Sequence, residues 1–157
     1  MDNVMPFSLD GRVALVTGSS TGLGKAIAFG LARCGARVAL NYYNNEERAA
    51  KTFSEFEAEG FEGLMLRADV SDEESVNALC DEVAEKLGPI DILVANATPD
   101  QPQMPIEEFT WQHFQSMIDF FIKSPYLLTR AVLPHMKEKR WGRIINITSE
   151  VFQRSIG

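Results

Sequence analysis

An apolar run, Val13-Ala14-Leu15-Val16, leads directly into Thr17-Gly18-Ser19-Ser20-Thr21-Gly22-Leu23-Gly24 and then into a helical pattern from Lys25 to Arg33. A strand that turns through glycines into a helix is a phosphate cradle. Glycine lets the backbone turn with φ > 0 and lets a ligand approach without meeting a Cβ. The first helical turn then offers free N–H groups and the positive end of its dipole to an anion. The chain is therefore expected to bind a phosphorylated ligand.

The rest of the chain repeats the alternation of strand and helix. Arg12–Thr17 reads as a buried strand, and Gly22–Cys34 as a helix with Leu23, Ile27, Ala28 and Leu31 on one face. Arg37–Tyr42 follows as a second strand. A polar-faced helix over Asn44–Glu59 is capped by Asn44 or Asn45 and stopped by Gly60. Gly63–Ala68 is a third strand. Ser71-Asp72-Glu73-Glu74 fits a capping box, with Ser71 as the cap of a helix that runs to about Leu87. Gly88-Pro89 breaks that helix, and Ile90–Asn96 is apolar enough for a strand buried on both faces. A proline-rich loop, Thr98–Pro105, precedes one long helical stretch from Ile106 to Lys139, which Pro125 should bend. Arg143–Thr148 is the fifth strand. This pattern predicts a single α/β domain over residues 1–157, with a Rossmann-type, doubly wound parallel sheet of five strands.

Composition removes several function classes. The net charge of −7 argues against nucleic acid or an anionic membrane as partner. No apolar run approaches the roughly 18 residues of a membrane span. The first eleven residues carry no apolar leader segment, and Cys34 and Cys80 sit on separate helical patterns as unpaired thiols. Together these predict a cytoplasmic protein. His113 and His135 belong to no metal-ligand cluster, so no metal site is expected.

The glycine spacing is G-x-x-x-G-x-G. Asp69-Val70 ends strand three, Asn96-Ala97 ends strand four, Leu133-Pro134-His135-Met136 closes the long helix, and Gly142-Arg143-Ile144-Ile145-Asn146-Ile147-Thr148-Ser149 forms strand five. Together these resemble the short-chain dehydrogenase/reductase family, closest to its 3-oxoacyl-(acyl-carrier-protein) reductase-like members, over about Leu9 to Ser149. The resemblance implies an oxidoreductase that transfers a hydride between a nicotinamide dinucleotide and a carbonyl or hydroxyl substrate, such as a 3-oxoacyl thioester. It implies a homo-oligomer, a dimer or tetramer, when the protein is complete.

The same resemblance implies roles for particular residues. Gly18, Gly22 and Gly24 would form the pyrophosphate turn with Leu23, and Ser20 and Thr21 would donate to phosphate or ribose. Helix capping alone is the other reading of Ser20 and Thr21. Asp69 would accept from the adenine amino group and Val70 would pack on the ring, unless Asp69 only caps a turn. Asn96, Ala97 and Thr98 would line the ribose, although Asn96 could be an ordinary turn former. Ser149 would be the catalytic serine, or else a plain loop residue. Asn41 stands at the end of strand two, where members that use NAD place an acidic residue that repels a 2′-phosphate. Here Leu40-Asn41-Tyr42-Tyr43-Asn44-Asn45 has no carboxylate before Glu46. NADP(H) is therefore favoured over NAD(H). No Arg or Lys stands in that stretch, since Arg37 opens the strand and Arg48 lies a helical turn further on.

Three departures from the family pattern matter. Thr98 replaces the glycine that usually follows Asn-Ala. Phe121 stands where the family carries an asparagine that holds a relay water, and Phe120-Phe121 read as core residues. The family's Tyr-x-x-x-Lys pair is absent before Gly157. That pair matters because a tyrosine, with free pKa about 10, needs a neighbouring ammonium to act as general acid and base near neutrality. Tyr126 and Arg130 share a helical face, but Tyr126 reads as a packing residue. The 157 residues are thus expected to be the N-terminal part of a domain of about 250 residues, the length the resemblance implies, and inactive alone. A non-catalytic dinucleotide-binding or interaction protein is the rival reading. Trp111, Phe114, Met117 and Ile118 recur at helical spacing, as either a core face or a contact with a second subunit.

Overall fold

The computed structural model describes residues 7–99, 101 and 104–149. Five strands form one sheet: β1 (Val13–Val16), β2 (Arg37–Tyr42), β3 (Gly63–Arg67), β4 (Ile92–Ala95) and β5 (Arg143–Asn146). All pairings are parallel, and the order across the sheet is β3-β2-β1-β4-β5. The strands alternate with α1 (Gly22–Arg33), α2 (Glu46–Ala58), α3 (Glu73–Lys86), α4 (Trp111–Ile118) and α5 (Ser124–Glu138).

Side-chain alternation along the central strands builds two cores, one on each face. Val13 and Leu15 of β1 join Leu93 of β4 beneath Val76, Leu79 and Val83 of α3 and Leu128 and Val132 of α5. Ala14 and Val16 point the other way and join Val38, Leu40, Ile92 and Val94 beneath Ala28, Phe29 and Ala32 of α1 and Phe56 of α2. Phe56 is fully buried and meets Phe29 edge-on at 5.3 Å. Truncating such a ring to alanine costs about 3–5 kcal/mol. The result is the doubly wound three-layer sheet expected from the alternation.

The predicted long helix of residues 106–139 is broken into pieces. Ile106–Glu108 is a 3-10 turn, and Phe109 is extended, with φ −72° and ψ 123°. Thr110 then caps α4. Asp119–Lys123 is a π turn, in which the Ser124 N–H donates to the Asp119 carbonyl five residues back. Pro125 follows at the start of α5. Proline has no N–H, and its ring crowds the carbonyl four residues earlier. The wider turn in front of it relieves that crowding. The cap of α3 also differs from expectation. Asp72, not Ser71, accepts from the Ser75 N–H at 2.8 Å. Ser71 instead donates its hydroxyl to Asp69 Oδ1 at 2.6 Å.

The amphipathic face of α4 is not a core face within this chain. No α4 residue is buried, and Trp111 is 73% exposed. Ile118, Ile122 and Tyr126 continue that exposed apolar strip across the π turn into α5. Tyr126, at 60% exposure, is thus not the packing residue its helical position suggests. At the sheet edge, Ile144 packs against the α3/α5 core and Ile147 against the other core, while Ile145 is exposed.

The N-terminal end of the sheet is closed by a buried carboxylate. Asp91 is 1% exposed and accepts from the Val13 N–H through Oδ2. Around its other oxygen stand Lys139 at 3.6 Å, Arg12 at 3.7 Å and His135 at 4.0 Å. The Lys139 and Arg12 cations offset the cost of burying that charge.

Candidate functional site

The strand order reverses between β1 and β4, because the chain steps outward to β2 and β3 and then returns to the other side of β1. Connections leave the two strands in opposite directions, which opens a crevice beyond their C-terminal ends, the usual ligand position in open α/β sheets. The glycine turn caps β1 there, and Asn96-Ala97-Thr98 caps β4.

Hydrogen bonds tie the two caps together. Thr17 Oγ1 accepts from the N–H groups of Asn96 at 2.9 Å and Ala97 at 3.1 Å. Asn96 Nδ2 donates to the carbonyls of Thr17 at 2.9 Å and Gly18 at 3.1 Å. Such close approach requires glycine. A Cβ on Gly18, where φ is +62°, would lie 2.8 Å from Ala97 Cα. A Cβ on Gly24 would press on Asn96 Nδ2 and the Gly18 carbonyl. Asn96 is therefore a clamp between β4 and the turn, more than a strand-end turn former.

The turn is also held from β2 and α2. Asn41 is 2% exposed. Its Oδ1 accepts from the Gly18 N–H at 3.2 Å, and its Nδ2 donates to the carbonyls of Tyr42, Leu66 and Ala68. Ser19 exchanges hydrogen bonds with the Asn41 backbone, and Thr52 donates to the Ser20 carbonyl at 2.8 Å. Asn41 thus shapes the turn from below. These buried polar groups satisfy one another, so the loop is rigid by construction.

At the start of α1 the pattern changes. Thr21 is the N-cap residue, yet its side chain makes no capping hydrogen bond, and the first turn holds no acidic residue. Gly22 and Leu23 are exposed, whereas Ser20 is buried. The N–H groups of this turn therefore lack the side-chain acceptor that Asn45, Asp72 and Thr110 provide for α2, α3 and α4. Capping alone does not account for Thr21.

A cleft of about 790 Å³ continues from the two caps toward β5. Thr17 and residues 95–98 form its floor, Asn146 to Ser149 one wall, and Met117, Phe120, Phe121, Ser124 and Pro125 the other. Ser149 and Thr98 are exposed along it. Phe121 is 42% exposed and faces this cleft, although its sequence context reads as core. Phe120 does pack against the core.

Asp69 and Val70 lie at the end of β3 and belong to the start of α3 rather than to the glycine turn. Asp69 Oδ1 accepts from the Ser71 N–H and hydroxyl, its own N–H donates to Ser75 Oγ, and Val70 is buried in the α3/α5 core. One cation near the end of β2 escapes sequence reasoning altogether. Parallel pairing sets Arg67 of β3 opposite Tyr42. Its Nε donates to the Tyr43 carbonyl at 3.1 Å, and its guanidinium lies 5.9 Å from the Tyr43 ring centre. Only the register of β3 on β2 shows this. Arg37, at the other end of a six-residue strand, pairs instead with Glu62 at 4.0 Å.

Other chemistries find little support. Burial, with a smaller contribution from Asp81, pushes the Cys80 thiol up to about 12, so it is an inert core group. Among the described residues no three His, Cys, Asp or Glu side chains cluster to hold a metal. Among them, too, no helix is long and apolar enough to cross a membrane.

Known proteins share this architecture. The family model described as short chain dehydrogenase matches residues 12–156. A 2-dehydro-3-deoxy-D-gluconate 5-dehydrogenase of Formosa agariphila is 33% identical over 96% of this chain and 58% of its own length. A 3-oxoacyl-(acyl-carrier-protein) reductase of Staphylococcus aureus is 37% identical over 89% of this chain and 56% of its own. The crystal structure of a gluconate 5-dehydrogenase from Burkholderia cenocepacia in complex with NADP and tartrate superposes with a TM-score of 0.83 at 37% identity. It covers 95% of this chain and 58% of that one. The chain thus spans little more than half the length of these relatives. With the matched region, the parallel sheet and the clamped glycine turn in agreement, the chain belongs to the short-chain dehydrogenase family.

Proposed function

We propose that the protein containing this chain is an NAD(P)-dependent oxidoreductase acting on a carbonyl or hydroxyl substrate. The observation that carries the reading is the uncapped start of α1, set behind a rigid glycine turn at the reversal point of the sheet. It offers N–H groups and no negative charge where a pyrophosphate would lie. Thr21 and the N–H groups of Gly22, Leu23 and Gly24 hold the phosphates. Asn96, Ala97 and Thr98 flank the nicotinamide ribose, and Asp69 borders the adenine, while the Val70 side chain, turned into the core, supports that strand end from beneath. Bound nicotinamide supplies the hydride chemistry, and the protein supplies position. Ser149, exposed on the cleft wall, orients the substrate oxygen by a hydrogen bond. The group that moves the accompanying proton belongs to the part of the relatives that this chain does not span.

NADP(H) is favoured over NAD(H). The end of β2 carries Asn41, Tyr42, Tyr43 and Asn44 with no carboxylate to repel a 2′-phosphate, and the Burkholderia relative was crystallised with NADP. The substrate is a small hydroxy or keto acid or a 3-oxoacyl thioester, in keeping with the relatives' names. The exposed strip Trp111, Ile118, Ile122 and Tyr126 is the face through which a dimer or tetramer forms. Cytoplasmic residence is part of the same proposal, supported by two unpaired cysteines.

A test is direct. The intact native polypeptide is titrated with NADPH and NADH, then assayed for NADPH oxidation with keto-sugar acids and 3-oxoacyl thioesters. Binding of NADPH ahead of NADH, with turnover of one substrate class, is expected. Absence of any dinucleotide binding would sink the proposal. Binding without turnover of any carbonyl would favour a non-catalytic role, a second reading to which Phe121 in the cleft gives weight.

A further inference from the structure

We propose that Arg67 is the counter-ion for the 2′-phosphate of NADP(H), delivered to the end of β2 by its neighbour strand. This rests on the reading that a nicotinamide dinucleotide lies across the crevice. In such sheets the adenosine ribose meets the end of the second strand, and the charge found there selects between a free hydroxyl and a phosphate.

Two features place Arg67 at that position. The parallel register sets it opposite Tyr42, the last residue of β2. The Nε–H donates to the Tyr43 carbonyl, which fixes the plane of the guanidinium beside the Tyr43 ring. The two terminal nitrogens make no hydrogen bond or ion pair with any described residue. They form a fork of donors suited to phosphate oxygens. Two other exposed arginines are engaged differently: Arg33 pairs with Glu59 and Arg130 with Glu73. The nearest acids along the chain from Tyr43 are Glu46 and Glu47, which lie in the first turn of α2 and are exposed.

Equilibrium titration of the intact native polypeptide tests this, with NADPH, NADH, adenosine 2′,5′-bisphosphate and 5′-AMP as probes. Arg67→Gln should weaken NADPH and the bisphosphate by about 10- to 100-fold, the range for a lost charge-assisted hydrogen bond, and shift NADH and 5′-AMP by less than about twofold. Arg67→Lys should recover part of the loss, since it keeps the charge without the fork. The NADPH advantage of the unmodified protein should shrink as salt rises. Equal weakening of NADPH and NADH in Arg67→Gln would show a merely structural role and overturn the assignment. So would a full NADPH preference surviving in that variant, which would leave the dinucleotide reading intact. Tighter NADH than NADPH binding in the unmodified protein would overturn the assignment and spare the dinucleotide reading, whereas no binding of any probe would overturn both.

Discussion

Helices α1 and α2 leave adjacent strands of one sheet and cover the same face, yet they begin in opposite chemical states. At the start of α2, Asn45 Oδ1 accepts from the Arg48 N–H at 2.8 Å, and Glu46 and Glu47 occupy the first turn. Helix α3 repeats the arrangement with Asp72, Glu73 and Glu74. At the start of α1, Thr21 caps nothing and no acid follows. Every helix leaves N–H groups without partners in its first turn. In α2 and α3 the chain's own side chains answer that need. In α1 the need is left open, and the glycines in front keep the approach clear. Helix starts therefore serve stability in one place and, in the function proposed above, a ligand in another.

The largest expected effect comes from blocking the approach. Gly18→Val puts a β-branched side chain at φ +62°, against Ala97. Strain of that kind costs about 1–3 kcal/mol before the clash is counted. Urea unfolding should show a loss of at least that size, and NADPH titration a loss in affinity beyond about 100-fold. Unchanged binding would mean that the turn is not where the phosphates lie.

Thr21→Asp tests the comparison more sharply, because it gives α1 what α2 and α3 already have. A cap carboxylate should raise stability by about 0.5–1 kcal/mol, while its charge, facing a pyrophosphate, should weaken NADPH by about tenfold. The opposite signs are the signature. A variant that is both more stable and equally avid would remove the distinction between the two helix starts. The smallest effect is expected from the converse change. Asp72→Ala should cost about 1 kcal/mol, or about 2–4 °C in Tm, and leave NADPH affinity unaltered. A matching drop in affinity would show that the start of α3 also serves the ligand.

Much of this was legible in the residues. From β1 to α3 each apolar run ends at a local stop, such as Gly35, Asn45 or Gly60, and the strands and helices fall within a residue or two of expectation. The region of residues 106–139 was less legible. Its apolar spacing continues across Phe109 and Pro125, but the π turn adds a residue to one turn and rotates every side chain beyond it relative to those before. Phe121, inside that turn, lines the cleft, while Ile122 within it and Tyr126 beyond it lie on the surface. Ser71 and Asp72 are both good caps. The choice between them follows from Asp69 having already taken the Ser71 hydroxyl.

The sequence alone determined the layered sheet, the glycine turn, the family and the absence of an acid at the end of β2, because each is written in neighbouring residues or in short periodicities. Tertiary structure decided what those residues meet. Asn41 turned inward to hold Gly18, Asn96 became a clamp, and Arg67 reached Tyr43 from 24 residues away. Those outcomes depend on strand order and register, which bring distant positions side by side and which no local pattern records.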